Sequence, residues 1–69
     1  KIREAVGDLQ GKGATLANMA QVYLTRGDLK RALELYEESL KIDEAVGDLQ
    51  GKGATLHNMA QVYLTRGDL

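Results

Sequence analysis

Between residues 8 and 26 the apolar positions Leu9, Leu16, Met19, Ala20 and Tyr23 recur at the i, i+3, i+4, i+7 spacing of one helical face. Ala14, Asn18, Gln21 and Thr25 fall on the opposite face. Between 28 and 46 a second stripe forms from Leu29, Ala32, Leu33, Tyr36 and Leu40, with Lys30, Arg31, Glu34, Glu38 and Lys41 turned to water. Residues 48–66 repeat the first stripe through Leu49, Leu56, Met59, Ala60 and Tyr63. Three amphipathic helices are therefore predicted, over 8–26, 28–46 and 48–66, preceded by a helical tail at 1–6. The like-charge pair Glu34 and Glu38 is expected to be offset by Lys30–Glu34 and Glu37–Lys41 contacts, each a few tenths of a kcal/mol.

The boundaries come from a recurring tripeptide. Gly-Asp-Leu stands at 7–9, 27–29, 47–49 and 67–69, always 20 residues apart. Glycine accepts the left-handed conformation that ends a helix, and aspartate accepts a hydrogen bond from the free N–H groups that begin the next. Each Gly-Asp is read as a stop and a start, and turns this short make neighbouring helices antiparallel. The unit they delimit is itself repeated. Residues 1–29 align without a gap on 41–69, a period of 40 residues, differing only at Arg3/Asp43 and Ala17/His57. The chain thus holds about one and three-quarter repeats. Gly11 and Gly13 should each cost roughly 1 kcal/mol inside a helix, so either the helix frays there or a neighbouring backbone comes close, and close packing is the expectation at Gly13, on the core side beside Leu9 and Leu16.

Composition narrows the chemistry. With 43% apolar and 28% charged residues in 69, the chain is a folding sequence with room for one small domain. It has no cysteine, which removes disulfides, thiolate metal sites and a thiol nucleophile, and which fits a reducing, cytoplasmic setting. Nine Lys and Arg against ten Asp and Glu give no basic excess for a nucleic-acid partner. No apolar run is long enough to span a bilayer, so no membrane partner is expected. The lone His57 lacks a second histidine or a carboxylate at helical spacing, so no metal is expected. Arg26-Gly27-Asp28 spells an adhesion tripeptide, but its Gly and Asp are already needed as helix stop and cap. Gly11-Lys12-Gly13 matches only part of a phosphate-binding loop. With no convergent pair of titratable groups, neither catalysis nor a cofactor is expected.

Stacked antiparallel helix pairs are the content of an all-α solenoid. Leu16-x-x-Met19-Ala20-x-x-Tyr23-x-x-x-Gly27-x-x-x-x-Ala32-x-x-x-Tyr36 resembles the tetratricopeptide repeat pattern across essentially the whole chain. Ser39 stands where that family usually has Ala, and Glu44 where it often has Pro. The longer period resembles the extended-helix variety found in kinesin light chain and in bacterial arrays. The resemblance implies a non-enzymatic interaction scaffold whose first helices line a concave groove for a peptide or partner protein, with Asn18 and Asn58 at the position that bonds a ligand backbone. Ala14, Ala17, Asn18, Gln21 and Thr25, with Ala54, His57, Asn58, Gln61 and Thr65, are the candidate groove.

Fewer than two repeats cannot bury every apolar stripe, since roughly three are usually needed. The stripe of 48–66, carrying Leu49, Leu56, Met59, Ala60 and Tyr63, is expected to lack its natural cover and to drive self-association. Because the first and third helices are nearly identical, a two-fold dimer or a domain-swapped dimer is the expected form, with a head-to-tail filament as the other possibility. A competing reading is a structural or designed building block whose only activity is that assembly.

Overall fold

The computed structural model describes residues 6–67, and side chains from Asp8 onward. Three helices follow one another: α1 over Val6–Thr25, α2 over Leu29–Val46 and α3 over Leu49–Arg66. The two turns between them are built from the expected dipeptides. Gly27 and Gly47 adopt φ of +86° and +73°, the left-handed region that side chains avoid. That turn lets the Asp28 N–H reach back to the Tyr23 carbonyl, and the Asp48 N–H to the Asp43 carbonyl, each at 2.9 Å. The carboxylates then cap forward: Asp28 Oδ1 accepts from the Arg31 N–H at 3.2 Å and Asp48 Oδ1 from the Gly51 N–H at 2.9 Å. Asp28 is thus occupied as a cap, as its place in the Arg-Gly-Asp tripeptide led us to expect.

The same dipeptide at Gly7-Asp8 does not break the chain, because α1 runs through it from Val6. Glycine permits a left-handed turn without imposing one. Where no further helix folds back on α1 among the described residues, continuing the helix keeps its backbone hydrogen bonds, which offsets the roughly 1 kcal/mol that a glycine costs inside a helix. The remainder of the expected tail, residues 1–5, lies outside the described residues.

α2 packs against both α1 and α3, while α1 and α3 barely meet. Its stripe is the one the sequence indicated: Ala32, Leu33 and Tyr36 are buried, Leu29 and Leu40 half-buried, and Lys30, Arg31, Glu34, Glu38 and Lys41 exposed. Ala20 of α1 and Met59 and Val62 of α3 complete the buried core. Exposed ion pairs join Arg31 to Glu34 at 3.8 Å and Lys52 to Glu44 at 3.3 Å, in place of the expected 30–34 and 37–41 pairs. Exposed pairs of this kind contribute little.

Burial on α3 corrects the single-stripe expectation. Met59 is 9% exposed and Val62 0%, both under α2, whereas their repeat counterparts Met19 and Val22 on α1 are 43% and 54% exposed. Ala20 is buried under α2, whereas its counterpart Ala60 is exposed. A helix inside a stack has two neighbours and therefore two apolar faces. One face, built from Gly13, Ala17, Ala20, Tyr23 and Leu24 in α1, meets the helix that follows. The other, built from Thr55, Met59 and Val62 in α3, meets the helix that precedes. Met59 is thus covered, Tyr63 is half-buried beside the core, and the open face of α3 runs through Leu56, Ala60 and Leu64, with Leu49 exposed near its start.

Gly13 is buried, as its position implied. A methyl group there would stand 3.3 Å from Ile42 Cγ2, so the glycine sets how closely α1 approaches α2. Tyr36 is the largest fully buried side chain, and among the described residues its hydroxyl has no hydrogen-bond partner. Burial raises its pKa above the ordinary 10.0. The unfolded chain therefore ionises first, so this group's contribution to stability is intact below about pH 10 and falls as pH climbs through the folded-state value. Tyr36→Phe removes the unsatisfied hydroxyl. Urea denaturation at neutral pH is expected to show it more stable than the parent by about 1 kcal/mol, with a shallower loss of stability in alkali.

Candidate functional site

Because α2 keeps α1 and α3 apart, a cleft opens between them with α2 as its floor. Its volume is about 150 Å³. α1 lines it with Gln10, Gly13, Ala14 and Ala17, and α3 with Gly51, Ala54, Thr55 and Asn58. Ser39 and Asp43 rise from α2, and Asp48 closes the end at the α2–α3 turn.

The floor is polar and buried. Ser39 Oγ donates to the Gly13 carbonyl at 3.0 Å, fixing α2 to α1 at the place where the glycine lets the backbones approach. Thr55 Oγ1 donates to Asp43 Oδ2 at 3.0 Å, fixing α2 to α3. These two bonds tie the walls to the floor. Buried polar groups are tolerated because they are bonded in this way.

Of the expected groove residues, Ala14, Ala17, Ala54 and Asn58 line the cleft. Asn58 is half-buried there, while its counterpart Asn18 is exposed outside the lining. Gln21, Thr25, Gln61 and Thr65 are also exposed outside it, farther along the helices, and His57, between the lining residues Ala54 and Asn58, is exposed and turned away from it. The hydroxyls of Thr25 and Thr65 are turned inward, donating to the Gln21 and Gln61 carbonyls at 3.0 and 2.9 Å. His57 Nε2 lies 3.4 Å from Gln61 Nε2 on the same face. Ser39, Asp43 and Thr55 were missed because only apolar residues were used to mark the buried stripes. The available signal was spacing, since Ser39 and Asp43 continue the row of Ala32 and Tyr36 down the buried side of α2.

Antiparallel helices joined by Gly-Asp turns, with a cleft between the first helices of successive pairs, are repeat architecture at the scale of this chain. The sequence profile of the tetratricopeptide repeat matches residues 1–45 and again 11–69. The chain belongs to the tetratricopeptide repeat family. Comparison with curated proteins and with solved structures finds no match. Tetratricopeptide repeats are protein-interaction modules, typically without catalysis. Among the described residues no helix is long and apolar enough to cross a membrane, and no cluster of His, Cys, Asp and Glu is arranged to hold a metal.

The repeat makes an internal control available for the floor of the cleft. Thr55 is buried on Asp43, whereas its counterpart Thr15 is exposed. Thr55→Val is expected to lower stability by about 1–3 kcal/mol, because the buried carboxylate loses a donor. Thr15→Val is expected to stay within about 0.5 kcal/mol. Thermal unfolding followed by circular dichroism compares the two.

Proposed function

We propose that this tetratricopeptide repeat chain is a non-catalytic, cytoplasmic scaffold that holds an extended segment of a partner protein along the side where α1 and α3 face each other. The observation that carries the reading is the cleft itself, whose lining alternates small side chains with hydrogen-bonding ones. Ala14, Ala17 and Ala54 leave room for a backbone to approach, and Gln10 and Asn58 offer amides that can both donate and accept. The exposed row of Asn18, Gln21 and Gln61 extends these groups along the helices, in keeping with a ligand longer than the cleft. A net charge of −1 without basic excess favours protein over nucleic acid as the partner.

Self-association belongs to the same reading. Ala60 and Leu64 on α3 repeat Ala20 and Leu24, which in α1 pack into the core, and Leu56 extends the exposed face beside them, so the face has the chemistry of a helix-binding surface. A second copy, as a two-fold or domain-swapped dimer, is the occupant we favour. The near-identity of the repeats also supports the second reading, a structural or designed building block whose only activity is this assembly.

An array of extended peptides separates these readings. Peptides that bind the parent chain, and bind Asn18→Ala plus Asn58→Ala at least tenfold more weakly, support the scaffold. An array without a binder contradicts it and favours the building block. Light scattering over a concentration series is expected to show a fixed dimer. A monomer at every concentration contradicts self-association in either reading.

A further inference from the structure

Asp43 carries more charge than its structural task requires. Its side chain is buried, at 6% exposure, and Thr55 satisfies only Oδ2. Among the described residues no hydrogen bond or ion pair reaches Oδ1, and Tyr36 holds the one buried side-chain polar atom sealed away without a partner. Asp43 lines the cleft, and with Oδ2 engaged by Thr55 it is Oδ1 that is left to face it. The approach to it is kept clear from both walls. A methyl group built on Gly13 of α1 would stand 3.6 Å from Oδ1, and one on Gly51 of α3 would stand 3.1 Å from it.

Among the described residues no Lys or Arg lines the cleft. Lys52, close by in sequence, is paired with Glu44 at 3.3 Å. A second carboxylate, Asp48, stands at the end of the cleft, with Oδ1 engaged by the Gly51 N–H. A buried carboxylate with an unoccupied oxygen is stabilised by a cation and disfavours an anion. The walls carry the methyl groups of Ala14, Ala17 and Ala54, which suit an alkyl stem, beside the amides of Gln10 and Asn58. Methyl groups on both walls over an acidic floor group match an alkyl stem with a positive head. Accepting a hydrogen bond from Thr55 needs only an amide oxygen at this position, so the charge is left for another purpose. Asp43 is also one of the two positions at which the repeats differ, with Arg3 as its counterpart.

We propose that the cleft is a specificity pocket for a lysine side chain of the partner segment, whose methylenes lie between Ala14 and Ala54 and whose ammonium donates to Asp43 Oδ1. The proposal rests on the groove reading for the segment that delivers the lysine and adds to it a chemical requirement, one positive side chain at the level of Gly13 and Gly51. Gln10 and Asn58 at the walls supply further oxygen acceptors for the same head group.

The test is a nuclear magnetic resonance titration of the full chain with N-acetyl-lysine amide and with its uncharged counterpart N-acetyl-norleucine amide. The lysine probe is expected to shift the amides of Gly13, Asp43, Gly51 and Thr55 saturably, and the norleucine probe to bind at least tenfold more weakly. Asp43→Asn, which retains an acceptor for Thr55, is expected to weaken lysine binding at least tenfold while leaving the helical spectrum unchanged. If Asp43→Asn does not fold, Ala14→Leu, at an exposed helical position on the wall, is expected to weaken it by blocking the cleft. Equal response to both probes, no saturable shift with either, or undiminished lysine binding in the folded variant overturns the proposal. An uncharged Ala-Ser peptide distinguishes the two failures. If it shifts Asn18, Asn58 and Gln61 while lysine finds no pocket, the groove stands and the lysine pocket falls.

Discussion

The structure depends on α2 being enclosed from two sides. Its row of Ala32, Tyr36, Ser39 and Asp43 is buried by helices that scarcely touch each other, so both α1 and α3 are held in place through it. Burial of apolar surface supplies the attraction. Direction comes from position along the row: Ala32 and Tyr36 pack in the apolar core, while Ser39 and Asp43 bond one wall each, to Gly13 and Thr55. The end of α2 that carries the polar pair is the end where the cleft opens. The contacts that fix the fold and those that shape the candidate site are consequently the same residues.

Enclosure also explains how one sequence serves two structural roles. α1 and α3 are almost the same helix, yet Ala20 is covered where Ala60 is open, and Met59 is covered where Met19 is open. The difference is in the neighbour, since α2 follows α1 and precedes α3. Every first helix in such a stack therefore carries two apolar faces, and an uncovered one keeps the chemistry of an interface. The open face of α3 is accordingly a copy of a surface that is already filled elsewhere in the chain.

Much of this was legible in the residues. Gly27-Asp28 and Gly47-Asp48 announced their turns because a left-handed glycine followed by a capping carboxylate is a local requirement, independent of what lies around it. The stripe of α2 was legible because both neighbours press on one continuous row. α3 was less so: a helical wheel assumes one buried side, and its choice grouped Met59, which is covered, with Leu56 and Ala60, which are not. Gly7-Asp8 shows the limit of a local signal, since the same dipeptide that turns the chain at 27–28 and 47–48 lies inside α1. The buried Asp43 was invisible for another reason. Its partner Thr55 is 12 residues away and across a turn, and nothing in the identity of either residue indicates that they meet.

The central claim is that position in the stack, rather than residue identity, decides which face of a repeated helix is structural. Val22 and Val62 occupy the same place in successive repeats, exposed to 54% and 0% respectively. Equilibrium denaturation of dilute Val22→Ala and Val62→Ala tests the claim with the same substitution in nearly the same helix. The account predicts a loss of about 2 kcal/mol for Val62→Ala and no more than about 0.5 kcal/mol for Val22→Ala. Equal losses, or a larger one at Val22, would contradict it.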